Sequence, residues 1–167
     1  RLTHLSADVL LYDLRELEEM SMSFNKLKAL PEGIFWGLEM LRILDLSYNQ
    51  LISVDDNVFR DLRKLLFLYL DYNDLISLPN CLFWEMANNM LILHLEANAL
   101  ITLDSKTFPG MQNLIALYLY SNNLVLLPSR LFWGMSNLQI LDISKNQLVT
   151  LQNGTFEGFE NQTYPIT

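Results

Sequence analysis

Apolar residues recur along this chain in a fixed pattern around six asparagines. The asparagines stand 24, 24, 25, 24 and 24 residues apart, and they are Asn25, Asn49, Asn73, Asn98, Asn122 and Asn146. An apolar residue precedes each one by eight, five and three positions and follows it by two and five, which gives the pattern L-x-x-L-x-L-x-x-N-x-L-x-x-L. A short fixed period of this kind predicts a solenoid in which each copy forms one coil.

Large apolar residues also follow each asparagine at fixed distances. A phenylalanine comes ten residues after it, at Phe35, Phe59, Phe83, Phe108, Phe132 and Phe156. Another large apolar residue comes thirteen residues after it, at Leu38, Leu62, Met86, Met111, Met135 and Phe159. We expect the phenylalanines to stack as a second buried spine beneath the convex side of the coils.

The segment before each asparagine alternates apolar and polar residues with a period of two. Leu44 and Leu46 fall on one face, whereas Ile43, Asp45 and Ser47 fall on the other. This alternation predicts a short strand with one buried face and one face toward solvent. Because every coil returns to the same place one step further on, the strands are expected to pair in parallel, about 4.8 Å apart.

The repeated asparagine has a predicted structural role where each strand ends. The backbone bends there inside an apolar coil, and its amide and carbonyl groups are costly when unpaired. A short amide side chain offers two donors and an acceptor, so it can satisfy the bend and the neighbouring coil together. Loss of one such asparagine is expected to cost about 1 to 3 kcal/mol.

Together these positions resemble the typical 24-residue class of leucine-rich repeats, and the resemblance covers essentially the whole chain. It implies an α/β right-handed solenoid, or horseshoe, with a parallel concave sheet and a convex side of loops and short helices. We interpret residues 1–167 as a single domain. It comprises a partial repeat (1–16), full repeats that begin near 17, 41, 65, 90, 114 and 138, and a degenerate tail (160–167).

The resemblance extends to the ectodomains of Toll-like receptors and other leucine-rich-repeat receptors, which implies an extracellular or cell-surface setting. Extracellular members carry cysteine-rich caps, whereas Cys81 is the only cysteine here. The chain is therefore expected to be a piece of a larger protein. Sequons at Asn153 and Asn161 are possible glycosylation sites, although two sequons are close to the number expected by chance in an asparagine-rich chain.

Odd and even copies differ systematically. The first, third and fifth carry Leu-Pro and then Phe-Trp, which places Trp36, Trp84 and Trp133 in a row on the convex side. Since tryptophan is usually mostly buried, we expect each indole to pack across the neighbouring coil. The alternative is an exposed strip for dimerisation or adhesion.

A net charge of −8 favours a basic protein or peptide as partner and argues against nucleic acid and anionic lipid. The longest apolar run, residues 65–70, is too short to span a membrane. His4 and His94 are the only histidines, and no set of residues has the sequence spacing of metal ligands. We therefore expect no enzyme activity, no cofactor and no metal.

The outward positions of the strands form one continuous array, and its middle is rich in aromatic and acidic residues. The predicted ligand-binding residues are Phe67, Tyr69, Asp71, Tyr72, His94, Glu96, Tyr118 and Tyr120. Rigid aromatics beside carboxylates are typical of surfaces that bind basic or amphipathic partners. The alternative is that tyrosines merely suit parallel strands, and that His94 is an exposed strand residue without a role.

The predicted function is noncatalytic recognition of a protein or peptide through the concave sheet of an extracellular receptor. One alternative is a secreted matrix or adhesion protein, which would hold partners without signalling. Another is a cytosolic scaffold or the docking arm of an enzyme. Since one fold hosts many functions, the repeats alone do not select among the three.

Overall fold

The computed structural model describes residues 1–5 and 11–158 of the chain. Phe159, the second sequon at Asn161 and the predicted tail 160–167 lie outside the described residues, as does part of the predicted partial repeat. The described chain is a solenoid of about six turns, with a parallel sheet and little helix. This confirms the predicted fold class.

The strands are short and follow one another at the period of the repeat. In chain order they are β1 (Glu19–Ser21), β2 (Ile43–Asp45), β3 (Phe67–Tyr69), β4 (Ile92–His94), β5 (Ala116–Tyr118), β6 (Leu126–Leu127), β7 (Ile140–Asp142) and β8 (Thr150–Leu151). A six-stranded parallel sheet has the order β1-β2-β3-β4-β5-β7, while β6 pairs with β8 in parallel. Two 3₁₀ helices, Leu11–Leu14 and Trp84–Met86, are the helices of the described residues.

The core consists of the residues that the repeat pattern predicts. Leu44, Leu68, Leu93 and Leu117 lie opposite one another on successive strands and are fully buried. The phenylalanine spine is confirmed: the stacked pairs Phe35–Phe59, Phe83–Phe108 and Phe132–Phe156 each have ring centroids 6.0 Å apart. Each pair joins an odd copy to the next even copy, as expected if two coils were duplicated as one unit.

The asparagine ladder connects each coil to the one before it. The Oδ1 atoms of the six asparagines accept hydrogen bonds from the amides of Leu2, Leu27, Leu51, Leu75, Leu100 and Leu124. In Asn73 the Nδ2 group also donates to the carbonyls of Leu46 in the preceding coil and Leu70 in its own, at 3.0 and 3.1 Å. The predicted double role of the asparagine is therefore confirmed.

The third copy absorbs one extra residue without losing register. Phe67 pairs with Ile92, 25 positions on, and Leu68 with Leu93, so the leucine columns stay aligned. The extra residue falls in 87–89, directly after the 3₁₀ helix, where the Asn89 side chain donates to the Arg63 carbonyl at 2.7 Å. The insertion therefore leaves the pairing of β3 with β4 intact.

The tryptophan row differs from expectation. The exposed fractions of Trp36, Trp84 and Trp133 are 38%, 63% and 54%, so the indoles are only partly packed and the row is more exposed than expected. The coils are already filled by the phenylalanine spine, which leaves the indoles outside. The Trp36 ring lies against the Gly33 backbone, and Arg130 lies 5.5 Å from the centre of the Trp133 ring. Cys81, on the same side, is a free and exposed thiol.

No helix in residues 1–5 or 11–158 combines the length and apolar character needed to cross a membrane.

Candidate functional site

The concave side presents residues from the strands and from the turn that follows each strand. The residue before each ladder asparagine has a left-handed backbone, with φ between 50° and 55° at Phe24, Tyr48, Tyr72, Ala97, Ser121 and Lys145. That conformation bends the chain away from the strand and into the turn, where the asparagine bonds begin. Non-glycine residues rarely adopt it, so its recurrence in every coil shows that neighbouring contacts hold it.

One group of aromatic rings runs across β3, β4 and β5. The His94 imidazole lies between Tyr69 and Tyr118, with ring centroids 4.8 and 4.5 Å apart and interplanar angles of 19° and 15°. The three side chains occupy paired register positions, because Tyr69 lies opposite His94 and His94 opposite Tyr118. We call these three residues the strand stack. His94 is half-buried within it, not exposed as the alternative expected, while its role in binding stays a prediction.

A second group of rings occupies the turn positions of the first three coils. Phe24, Tyr48 and Tyr72 stack with centroids 4.3 Å apart at each step and planes within 9° of parallel. We call these residues the turn stack; each is exposed. Sequence reasoning included Tyr72 and omitted Phe24 and Tyr48. The sequence feature that could have identified them is an aromatic residue directly before the asparagine in three consecutive copies.

Two carboxylates lie between the strand stack and the turn stack along the chain. Asp71 and Glu96 are only 8% and 6% exposed. Glu96 Oε1 lies 2.8 Å from His94 Nδ1. Within the described residues, Asp71 Oδ1 and Glu96 Oε2 are buried with no hydrogen-bond partner. Unpaired buried charges are costly, which makes this acid pair an unusual feature of the concave surface.

The neighbouring coils show why these acids lack partners. In the second copy the acid is Asp45, and its Oδ1 accepts hydrogen bonds from the Ser47 amide and hydroxyl at 2.9 and 2.6 Å. Asp142 and Ser144 repeat this arrangement. In the third and fourth copies, Tyr69 and His94 stand where the second copy has Asp45. The acids Asp71 and Glu96 stand where it has Ser47. The serine donor is thereby lost and the acid comes to lie deeper.

The electrostatics reflect this crowding. Burial, and then the charge of Glu96, raise the pKa of Asp71 to about 6. Burial and the same Glu96 charge raise the pKa of Tyr120 to about 12, while burial together with Asp45 and Asp71 raises the pKa of Tyr69. The pKa values of Asp71, Tyr69 and Tyr120 are therefore all raised, so burial and the neighbouring charges favour the neutral form of these three groups.

The remaining predicted residues lie beside these groups. Phe67 is half-buried on β3, two residues before Tyr69, and Tyr120 is half-buried after β5, next to the Glu96 charge. Asp71, His94 and Glu96 bring one possible ligand atom each to within 4.8 Å of one another. Sequence spacing gave no sign of this cluster, because its members come from successive coils. The expectation that the chain binds no metal is not tested by this geometry and stays a prediction.

The raised pKa of Asp71 predicts a stabilising substitution. A carboxyl whose pKa is higher in the folded than in the unfolded state favours folding below about pH 4, and this contribution is lost as the pH rises through about 6. Asp71→Asn should therefore match the wild type near pH 4. At pH 7.5 it should be more stable by about 1 to 2 kcal/mol, a value reduced from the full shift because solvent screens the concave face. Urea unfolding at both pH values, in buffer with a chelator, measures the difference.

Asp142→Asn is the matched control for that substitution. Asp142 accepts two hydrogen bonds from Ser144, so its removal should not stabilise the protein at pH 7.5. A destabilised Asp71→Asn protein at pH 7.5 would show that the Asp71 charge is compensated by a group that the fold already supplies.

Comparison with known proteins gives the family and the fold. The model of a family described as "Leucine rich repeat" matches residues 1–51, 15–75, 88–148 and 117–163. No curated protein matches the chain in sequence. A solved structure, the TLR13–ssRNA13 complex, has 29% identity and a TM-score of 0.81 over 91% of this chain. The match covers 21% of that protein, so the chain spans about a fifth of the length of this Toll-like receptor.

This comparison corrects one expectation. The TLR13 crystal contains single-stranded RNA, so excluding nucleic acid as a ligand on the basis of net charge is wrong. The physical reason is that net charge averages over the whole surface, whereas single-stranded bases also bind by stacking on aromatic rings, which needs no positive charge. Both aromatic stacks described above offer such rings.

Proposed function

Since this chain belongs to the leucine-rich-repeat family, we propose that it recognises a protein or peptide through its concave sheet, without catalysis, as part of an extracellular receptor. The observation that carries the proposal is the acid pair, Asp71 and Glu96, between two stacks of aromatic rings. Aromatic rings supply contact area at low entropic cost, and carboxylates supply directional acceptors. The sheet holds both in place.

The charges of the surface favour a basic partner. Each Lys or Arg salt bridge in the described residues lies elsewhere, at Arg42–Glu18, Arg63–Glu85 and Arg130–Glu157. No Lys or Arg of the described residues lies within 4.0 Å of Asp71 or Glu96, and the one basic group beside them is the His94 ring, 2.8 Å from Glu96. A lysine or arginine from a ligand would meet two buried carboxylates, where a charge pair is stronger than in water.

Single-stranded RNA is the second candidate ligand, and the likeness to the TLR13–ssRNA13 complex favours it. Its bases would stack on the strand stack and the turn stack. The acid pair acts against it, because phosphates would approach two carboxylates that lack a basic counterion. We rank the basic peptide above RNA for that reason.

The receptor setting rests on the resemblance to Toll-like receptor ectodomains, and an endosomal ectodomain fits it as well. The sequon residue Asn153 is exposed, so glycosylation there remains a prediction. The full-length reading frame separates the alternatives. A membrane span followed by a cytoplasmic domain supports the receptor, a capped end supports the matrix protein, and the lack of both supports the cytosolic scaffold.

The double substitution Tyr69→Ala with Tyr118→Ala tests the concave site. It removes both rings that flank His94, and truncation of central aromatic residues at an interface costs at least about 2 kcal/mol. Peptides selected from a displayed random library on the wild-type chain should be rich in Lys, Arg and aromatic residues. They should bind the double variant about 30-fold more weakly, with unchanged circular dichroism.

Trp84→Ala with Trp133→Ala is the matched control, because it removes two exposed aromatic side chains from the convex side. That variant should bind the selected peptides as the wild type does. Equal binding by the wild type and the Tyr69/Tyr118 variant would exclude the concave surface. Binding of a single-stranded RNA oligonucleotide, lost in the same variant while no peptide is selected, would establish the second candidate instead.

A further inference from the structure

The strongest unexplained feature of the molecule is the arrangement of Asp71, His94 and Glu96. One side-chain ligand atom from each lies within 4.8 Å of the other two. Both acids are more than nine-tenths buried, and each leaves one carboxylate oxygen without a hydrogen-bond partner in the described chain. Buried charges in proteins are either paired or coordinate a metal. No Lys or Arg of the described residues pairs with these two acids, and their one ion-pair contact is that of Glu96 Oε1 with His94 Nδ1 at 2.8 Å.

We propose that Asp71, His94 and Glu96 form a binding site for one divalent transition-metal ion on the concave sheet. A metal ion would take one carboxylate oxygen from each acid and a ring nitrogen of His94. Like the peptide site of the proposed function, this site lies on the concave sheet. It shares Asp71 and Glu96 with that peptide site, but its test needs no peptide, because the metal alone is the ligand.

The kind of ligand determines the kind of metal. Mg²⁺ and Ca²⁺ prefer sites made of oxygen alone, whereas imidazole nitrogen together with carboxylate oxygen suits Zn²⁺ and its neighbours in the first transition row. Zinc binds nitrogen and oxygen at about 2.0 to 2.2 Å with tetrahedral geometry, so two of its ligand atoms stand about 3.3 to 3.6 Å apart. A combined side-chain movement of about 1.2 to 1.5 Å brings the present spread of 4.8 Å to that distance.

The neighbouring rings fix the orientation of the His94 side chain. The ring of His94 is fixed between Tyr69 and Tyr118, which limits its rotation, and β3 and β4 hold Asp71 and Glu96 in adjacent coils. Fixed ligands lose little conformational freedom when the metal binds. Each coil of a solenoid contacts only its neighbours. A single substitution in one coil therefore tests the site without rearranging the rest of the solenoid.

The test is a calorimetric titration of the Cys81→Ser chain with ZnCl₂ at pH 7.5. The Cys81→Ser background removes an exposed thiol that could bind zinc elsewhere. We expect one Zn²⁺ per chain, and no displacement by a hundredfold excess of Mg²⁺. His94→Ala, Asp71→Asn and Glu96→Gln should each weaken zinc binding at least about 100-fold, since even the loss of a residue that only supports a metal ligand costs 10- to 100-fold.

Two controls separate this site from adventitious zinc. His4→Ala removes the other histidine, and Asp142→Asn removes a concave carboxylate that already has serine donors. Both should bind zinc as the background does. Zinc should also raise the unfolding temperature of the background but not of Asp71→Asn, a variant expected to fold at least as stably as the wild type. The proposal is overturned if the background binds no zinc at 100 µM, or if the three site variants bind it unchanged.

Discussion

Replacing Phe83 by alanine will lower the free energy of unfolding by about 3 to 5 kcal/mol, the range found for large-to-small changes at buried aromatic positions. Phe83 is fully buried and stacks on Phe108 in the next coil at 6.0 Å. Its removal leaves a cavity between the third and fourth coils, near the middle of the solenoid. The loss is a large part of the roughly 5 to 15 kcal/mol that stabilises a typical domain. Urea denaturation followed by circular dichroism measures it.

Trp84→Ala is the matched control for that substitution, because Trp84 is the next residue and also a large aromatic. Trp84 is 63% exposed, so its truncation should change the unfolding free energy by less than about 0.5 kcal/mol. If the two variants lost equal stability, burial in the phenylalanine spine would not be what holds the convex side together.

The fold could be predicted from the sequence because the same pattern of apolar residues around an asparagine occurs six times. The position of Leu68 on the buried face follows from the period of two, and the place of Phe83 from its fixed distance to Asn73. Local pattern and global fold agree at these positions. The exposure of Trp84 was not predictable in this way, since it depends on how much room the phenylalanine spine leaves.

The candidate site was predictable only in part. Counting positions in the repeat placed Tyr69 and His94 on the concave face and in one row, and the structure puts the two rings 4.8 Å apart. The same counting could not show that the Asp71 carboxylate would be buried and unpaired, because that depends on side-chain conformations in two coils. Nor could it show that the left-handed turn brings Phe24 and Tyr48 into one stack.

The error about nucleic acid has a related cause. A net charge of −8 describes the whole chain, whereas a ligand meets only the few side chains that it contacts. On the concave surface those side chains include aromatic rings, a kind of group on which bases can stack, and carboxylates, which repel phosphates. The side chains that a ligand contacts therefore decide between peptide and RNA. Titrating the wild type and the Tyr69/Tyr118 variant with each ligand measures how much these rings contribute to binding.

Replacing Asn73 by alanine is expected to lower the free energy of unfolding by about 3 kcal/mol, the upper end of the range for leaving a buried polar group unpaired. The Asn73 side chain is 6% exposed and makes four hydrogen bonds to the backbone. Alanine would leave the Leu51 amide and the Leu46 carbonyl without this partner, and both lie in the preceding coil. Urea unfolding of the wild type and the variant gives the difference.

Asn113→Ala is the matched control, because Asn113 also joins two coils through its side-chain amide but does so at the surface. Its Nδ2 donates to the Asn88 carbonyl at 2.6 Å in an exposed position, where water can replace the bond. The expected loss is below about 0.5 kcal/mol. Similar losses in the two variants would mean that bridging between coils, and not the burial of the bridge, sets the contribution of each asparagine. A small loss in both variants would show that the asparagine ladder does not hold the coils in register. The peptide and metal sites would then lack the fixed surface on which they depend.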